Sequence, residues 1–179
     1  MIYIASIPRS GSTYVARAIA GLGPGSTTPP DIAKYGIYKT HRPADHFDCT
    51  GHDKKLFLFG DPVLSVISTK LHRYEANHFY NCGAKWPPEA DIFEHDILGY
   101  ERLFDTWTQE KNTLCLKYEA IPHFAMHIEE HCRRDISWPV WQERTTTYSD
   151  VTAQELAMIE ETYAALIRKV RNTAECWIV

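Results

Sequence analysis

Apolar positions along this chain recur in two patterns, short nearly unbroken runs and stripes at helical spacing, and the alternation of the two predicts most of its elements. Ile2, Tyr3, Ile4 and Ile7 form a run of strand length, as expected for a strand covered on both faces. Val15, Ala18, Ile19 and Leu22 then fall at helical spacing, so the stretch from Ile2 to Leu22 reads as strand, tight loop, helix. Gly36 to Thr40 is short and β-prone, and Lys55 to Gly60 is a buried strand by its apolar run. Asp61 and Pro62 open a helix whose buried side is marked by Val63, Leu64, Ile67 and Leu71. A helix is expected from about Ile92 to Trp107, a strand at Thr113–Tyr118 and a helix near Pro122 to Arg133. Thr152 and Glu155 form a capping box ahead of a long amphipathic stripe ending near Val170, and Ala174 to Val179 reads as a short strand or docked tail.

Strands alternating with helices imply an α/β fold, a mostly parallel central sheet with helices on its faces. Between the elements lie Gly21 to Pro30, a loop suited to a mobile lid, the polar stretch 44 to 53, and the irregular stretch 137 to 150. Asn77 to Ala90 is aromatic and interrupted by proline, which makes it the expected wall for an acceptor.

Length adds that 179 residues fit one domain with a substantial core. A net charge of −4 argues against a broad nucleic-acid footprint, and no stretch approaches membrane-spanning length. Five cysteines without a Cys-x-x-Cys pair favour free thiols in a reducing compartment, and the first residues enter a strand without a leader pattern. The expectation is a soluble cytoplasmic protein with no nucleic-acid or membrane partner.

The candidate chemistry sits at strand ends. Pro8-Arg9-Ser10-Gly11-Ser12-Thr13-Tyr14 joins the first strand to the first helix, where a glycine allows close backbone approach and the first helical amides form an anion site. The spacing is not that of the nucleotide-hydrolase loop, which requires a Lys-Ser or Lys-Thr pair after its second glycine. Lys39 and His41 follow the second strand and would lie at the carboxyl edge of the sheet, where open α/β sheets bind ligands. Ser65, Ser68 and His72 share a second sector of the helix after Pro62, at the same sheet edge. His123, His127 and His131 recur at steps of four, but Phe124 stands where the zinc-protease motif carries glutamate, so a solvated or packed face is the expected reading and no metal is predicted.

In their order, these stretches resemble the sulfotransferases that use 3'-phosphoadenosine 5'-phosphosulfate. Residues 8 to 14 resemble the family's phosphosulfate loop Pro-Lys-Ser-Gly-Thr-Thr-Trp, with an arginine in place of lysine as in carbohydrate-directed branches. Lys39-Thr40-His41-Arg42-Pro43 resembles Lys-Thr-His-x-Pro, Asp61-Pro62 with Ser68 resembles the 3'-phosphate motif, and Tyr118-Glu119 resembles the Tyr-Glu-Asp-Leu stretch. Together they span roughly residues 5 to 121. The resemblance implies a P-loop-like sulfotransferase architecture in a single domain. It further implies a donor that leaves as adenosine 3',5'-bisphosphate, and in-line transfer to a hydroxyl or amine of a small-molecule or carbohydrate acceptor without a metal. It assigns His41 as general base and Lys39 and Arg9 as charge stabilisers. Arg9, Ser10, Gly11, Ser12 and Thr13 would hold the phosphosulfate, Tyr14 and Tyr118 the adenine, and Ser68 the 3'-phosphate.

Two departures stand out. The arginine of the 3'-phosphate motif is Gly60 here, with Arg17, Lys70, Arg73 and Arg144 as possible replacements, and the carboxyl-terminal Arg-Lys-Gly element has no counterpart. The alternatives to a sulfotransferase are a P-loop nucleotide kinase or related phosphotransferase, and a non-catalytic nucleotide-binding protein.

Overall fold

The computed structural model describes residues 1–22, 32–48, 53–72, 75–83 and 90–179, the side chains of 75–77 aside. Five strands form one sheet in the order β2-β1-β3-β4-β5. They are β1 (Ile2–Ser6), β2 (Ile37–Thr40), β3 (Lys54–Phe59), β4 (Thr113–Lys117) and β5 (Cys176–Ile178). β1 to β4 are parallel, and β5 runs antiparallel to β4. The α/β expectation with a mostly parallel sheet therefore holds, and the tail resolves into a short edge strand.

Strand residues alternate between two apolar layers because successive side chains point to opposite faces. Ile2, Ile4, Leu56, Leu58, Leu114 and Leu116 pack with Val15 and Ile19 of helix α1 (Ser12–Ile19) and Ile128 of helix α5 (Ala125–Cys132). Ala5, Phe57, Phe59 and Cys115 pack on the other face. There they meet α2 (Pro62–Leu71), α3 (Glu75–Cys82), α4 (Tyr100–Trp107), α6 (Ala153–Thr162) and α7 (Ala164–Arg171). Asp61 caps α2 as expected, its carboxylate accepting from Leu64 N at 3.1 Å. The Thr152–Glu155 capping box of α6 is formed in both directions.

The sheet also explains where a ligand would bind. β2 lies on one side of β1 and β3 on the other, so the chain reverses its winding direction across β1. Such a reversal opens a crevice beyond the carboxyl ends of the strands. The loop after β1 and the residues after β2 face that crevice.

Several expected boundaries are corrected. The helix placed at 92–107 begins at Tyr100, because Gly99 takes a left-handed conformation (φ 67) and Asp96 accepts from the amides of Tyr100 (2.8 Å) and Glu101 (3.0 Å). The apolar spacing upstream, including Ile92 and Phe93, is used by a turn that also fills the core. The long final helix is two, α6 and α7, meeting at Tyr163. That tyrosine is pinned through its hydroxyl to the carbonyls of Ile92 (2.9 Å) and His95 (3.2 Å). The first half of the 77–90 stretch is the helix α3, since Phe79 and Cys82 bury at three-residue spacing and Gly83 (φ 72) ends it. Leu71, expected in the core, is exposed.

Most of the 21–30 loop and residues 84–89 lie outside the described residues, as does Arg73. Cys82, Cys115, Cys132 and Cys176 are free. Among the described residues no helix is long and apolar enough to cross a membrane.

Candidate anion-binding and transfer site

Pro8 ends β1, and Arg9 and Gly11 both turn through positive φ (67 and 79) before α1 begins. Positive φ costs little at glycine and is uncommon for arginine, so Arg9 is a strained position of the kind found at ligand clamps. Gly11 caps α1 without a side-chain bond, and the first carbonyl reached from inside the helix is its own, bonded to Val15 N at 3.0 Å. The amides of Ser12, Thr13 and Tyr14 precede that bond and carry the helix's partial positive charge. The Ser10 hydroxyl is buried with no partner.

A cavity of about 200 Å³ opens on these residues. One wall is Arg9 and the loop from Gly11 to Tyr14, a second is Lys39 and His41 beyond β2, and a third is Tyr118, Trp141 and Gln142. The tie between loop and β2 is direct, Lys39 Nζ donating to Thr13 Oγ1 at 3.0 Å. Arg9 Nε donates to Ser68 Oγ at 3.0 Å, which joins the loop to α2 across 59 positions of sequence. Every expected site residue except Ser10 and Ser68 lines the cavity, and Ser68 touches it through Arg9.

Among the described residues, the cavity's lining includes two cationic side chains and no carboxylate. Burial pulls the Lys39 ammonium below its ordinary pKa, and Arg17 and Arg9 push it further down. An anion bound beside Lys39 would relieve those repulsions.

His41 is nearly inaccessible, 5% exposed. Its Nδ1 lies 2.8 Å from the Ser6 carbonyl, which accepts only, so Nδ1 carries the proton and Nε2 keeps its lone pair. The Ser6 hydroxyl is 3.1 Å from the same nitrogen. Burial, then Lys39, hold the pKa of this imidazole well below its ordinary value, at about 3, with the Ser6 bond opposing and His78 adding to the fall.

Sequence reasoning missed three residues here. His78, on α3, stands edge-on to His41 with ring centroids 5.3 Å apart and lines the cavity. Burial, Lys39 and Arg9 lower its pKa to about 4. Trp141 and Gln142 belong to the irregular 137–150 stretch, which is laid across the cleft by two tyrosines. Tyr14 donates to Pro139 O (2.7 Å) and Tyr118 to Gln142 O (3.2 Å). Trp141 packs against both, with centroids 5.0 Å from Tyr14 and 4.9 Å from Tyr118. Two tryptophans in a polar, patternless stretch were the available signal.

Arg144, one of the possible replacements for the missing arginine, donates from its guanidinium to Arg9 O at 3.1 Å and lies 4.9 Å from the Tyr118 ring centre. A Cβ on Gly60 would stand 3.2 Å from Arg144 Nη2 and 3.1 Å from Tyr118 Cβ. Glu119 Oε1 would lie at 3.2 Å as well, so a side chain at position 60 would be crowded by Tyr118, Arg144 and Glu119 together. Burial lowers the Arg144 pKa, while Glu119, Tyr118 and Asp61 pull the other way. Arg144 holds the strained Arg9 peptide through its bond to Arg9 O, while its Nε and Nη1 are buried without a partner among the described residues. Among the other possible replacements, Lys70 pairs with Asp91 at 2.9 Å and Arg17 lies on the Lys39 side of the loop.

The histidine ladder stays outside this site. His131 Nε2 contacts the Lys55 carbonyl at 2.9 Å, and among the described residues no group of three His, Cys, Asp or Glu side chains is arranged to hold a metal. No protein-family model matches the chain and no curated protein matches it.

Gly11 provides a local test. An alanine there would place Cβ 2.8 Å from Tyr118 Cδ2 at φ +79, whereas Gly21 has φ +68 and open space. Gly11→Ala is expected to destabilise by about 2–4 kcal/mol, and Gly21→Ala by about 1 kcal/mol, because only the first adds crowding to backbone strain. Urea unfolding of the two variants measures the difference, and equal losses would show that the Gly11–Tyr118 contact is unimportant.

Proposed function

We propose that the chain is a sulfotransferase. It would move a sulfuryl group from 3'-phosphoadenosine 5'-phosphosulfate to a hydroxyl or amine of a small-molecule or carbohydrate acceptor. The observation that carries this reading is the meeting of Arg9, Lys39, His41 and the first amides of α1 in one cavity whose described lining carries no acid, although they come from separate strands. In-line transfer of a group with charged equatorial oxygens requires mainly positioning and charge stabilisation.

Under this reading the amides of Ser12, Thr13 and Tyr14 hold the 5'-phosphate, and Arg9 and Lys39 neutralise charge on the bridging and sulfuryl oxygens. His41 accepts the acceptor's proton on Nε2, the nitrogen left with a lone pair by the Ser6 bond. Tyr14, Tyr118 and Trp141 form an aromatic wall suited to a purine ring. Ser68, beside Arg9, is the candidate for the 3'-phosphate. A magnesium-nucleotide kinase is less well supported, because the described residues of the cavity's lining supply no carboxylate for the metal.

Thermal stabilisation by adenosine 3',5'-bisphosphate and by adenosine 5'-phosphate tests the donor. A ligand that binds the folded state raises the melting temperature by mass action. A clearly larger shift for the bisphosphate is expected. Equal shifts would reject a 3'-phosphate site, and no shift with either would reject the donor class.

A further inference from the structure

Lys39 and His41 form a shared wall between two cavities. Behind them, away from the phosphate loop, lies a second space of about 280 Å³, at the small end of ligand pockets. Its remaining lining is Tyr38, Thr40, Arg42, Tyr80 and Asn81, and none of the loop residues from Arg9 to Tyr14 reaches it. Resting on the transfer reading above, we propose that this second cavity is the acceptor site. We further propose that it takes a small polyhydroxylated acceptor bearing an anionic group, such as a sugar acid, in preference to an apolar phenol.

Position argues for the first half. In-line displacement brings the acceptor from the side opposite the leaving phosphate, and the two residues common to both cavities are the ones assigned to the sulfuryl group and the acceptor proton. The chemistry of the wall argues for the second. Among the described residues it contains phenolic, hydroxyl, imidazole and amide groups, two cations and no aliphatic or acidic side chain. None of the ion pairs among the described residues uses Arg42 or Lys39. A flat apolar ring would find little to displace water from, whereas a carboxylate on a sugar ring would meet Arg42 while its hydroxyls met Tyr38, Tyr80 and Asn81.

The test uses ligand-observed NMR on the full chain, with and without adenosine 3',5'-bisphosphate, and three probes: methyl glucuronide, methyl glucoside and 2-naphthol. The glucuronide is expected to bind about tenfold more tightly than the glucoside, since a hydrogen bond to a charged group exceeds a neutral one by roughly that factor. Arg42→Gln should bring the two sugars to near equality while the bisphosphate still raises the variant's melting temperature. Preference for 2-naphthol, equal binding of the sugars to the wild-type protein, no sugar binding at millimolar concentration, or discrimination that survives Arg42→Gln would each overturn the proposal. Arg42-dependent sugar discrimination without any bisphosphate shift would support this site and reject the donor reading, so the two fail separately.

Discussion

Replacing His41 by glutamine is expected to lower the transfer rate about 10²- to 10⁴-fold, the usual contribution of a positioned general base. Glutamine keeps a side-chain N–H that can donate to the Ser6 carbonyl, so the loss would report the missing lone pair rather than a collapsed strand end. Single-turnover transfer from labelled donor measures it, and an unchanged rate would remove His41 from the chemistry. The same residue sets a pH signature. In the free protein its pKa is about 3, against an ordinary 6.5. The unfolded chain thus binds more protons between these values. Stability is full above the ordinary value and is lost as pH falls toward about 3, the His41 share being about 2 kcal/mol by about pH 5. Anionic phosphate and sulfate groups near Lys39 would oppose the forces that depress this pKa. Binding of the bisphosphate should then take up protons increasingly as pH is lowered from about 7 to about 5. Calorimetry in buffers of different ionisation heat reads that uptake, which should shrink in His41→Gln.

Replacing Lys39 by methionine is the second large change. It keeps most of the aliphatic stem and removes the charge, the hydrogen bond to Thr13 and one of the cations that depress His41. Loss of one preorganised charge-stabilising group costs about 10²- to 10³-fold in rate. Bisphosphate affinity should fall as well, because the ammonium is buried beside the loop amides and its attraction for an anion is only weakly screened there. Histidine NMR supplies an independent readout. Without the ammonium, the His41 pKa should rise above about 3 in the free variant. A Lys39→Met protein with wild-type rate and affinity would place the sulfuryl group elsewhere.

Local patterns were enough for the elements whose signals are contiguous. The runs of β1, β3 and β4, the Asp61-Pro62 start of α2 and the Thr152–Glu155 box each contain their own stop or cap, so periodicity located them. Periodicity failed where a local cap or a tertiary contact outweighed it. Ile97, Tyr100 and Leu103 have helical spacing, but Asp96 spends its carboxylate on the amides of Tyr100 and Glu101, and Gly99 turns left-handed, so the helix starts late. Tyr163 similarly divides a continuous stripe because its hydroxyl reaches back to Ile92 and His95.

The candidate site divides in the same way. The sequence by itself determined which side chains and amides stand at the ends of β1 and β2, since a parallel strand presents the residues that follow it to one edge of the sheet. Arg9, Gly11, Thr13, Lys39 and His41 were legible for that reason. Only the tertiary structure decided that His78 meets His41, that Trp141 and Gln142 close the aromatic side, and that Arg144 stands beside Gly60. These partners lie far apart along the chain. No periodicity links such distances; they are set by the packing of helices and an irregular segment against the sheet edge. The depressed pKa of His41 belongs to the same class, because it arises from burial and from a lysine whose charge the fold holds nearby.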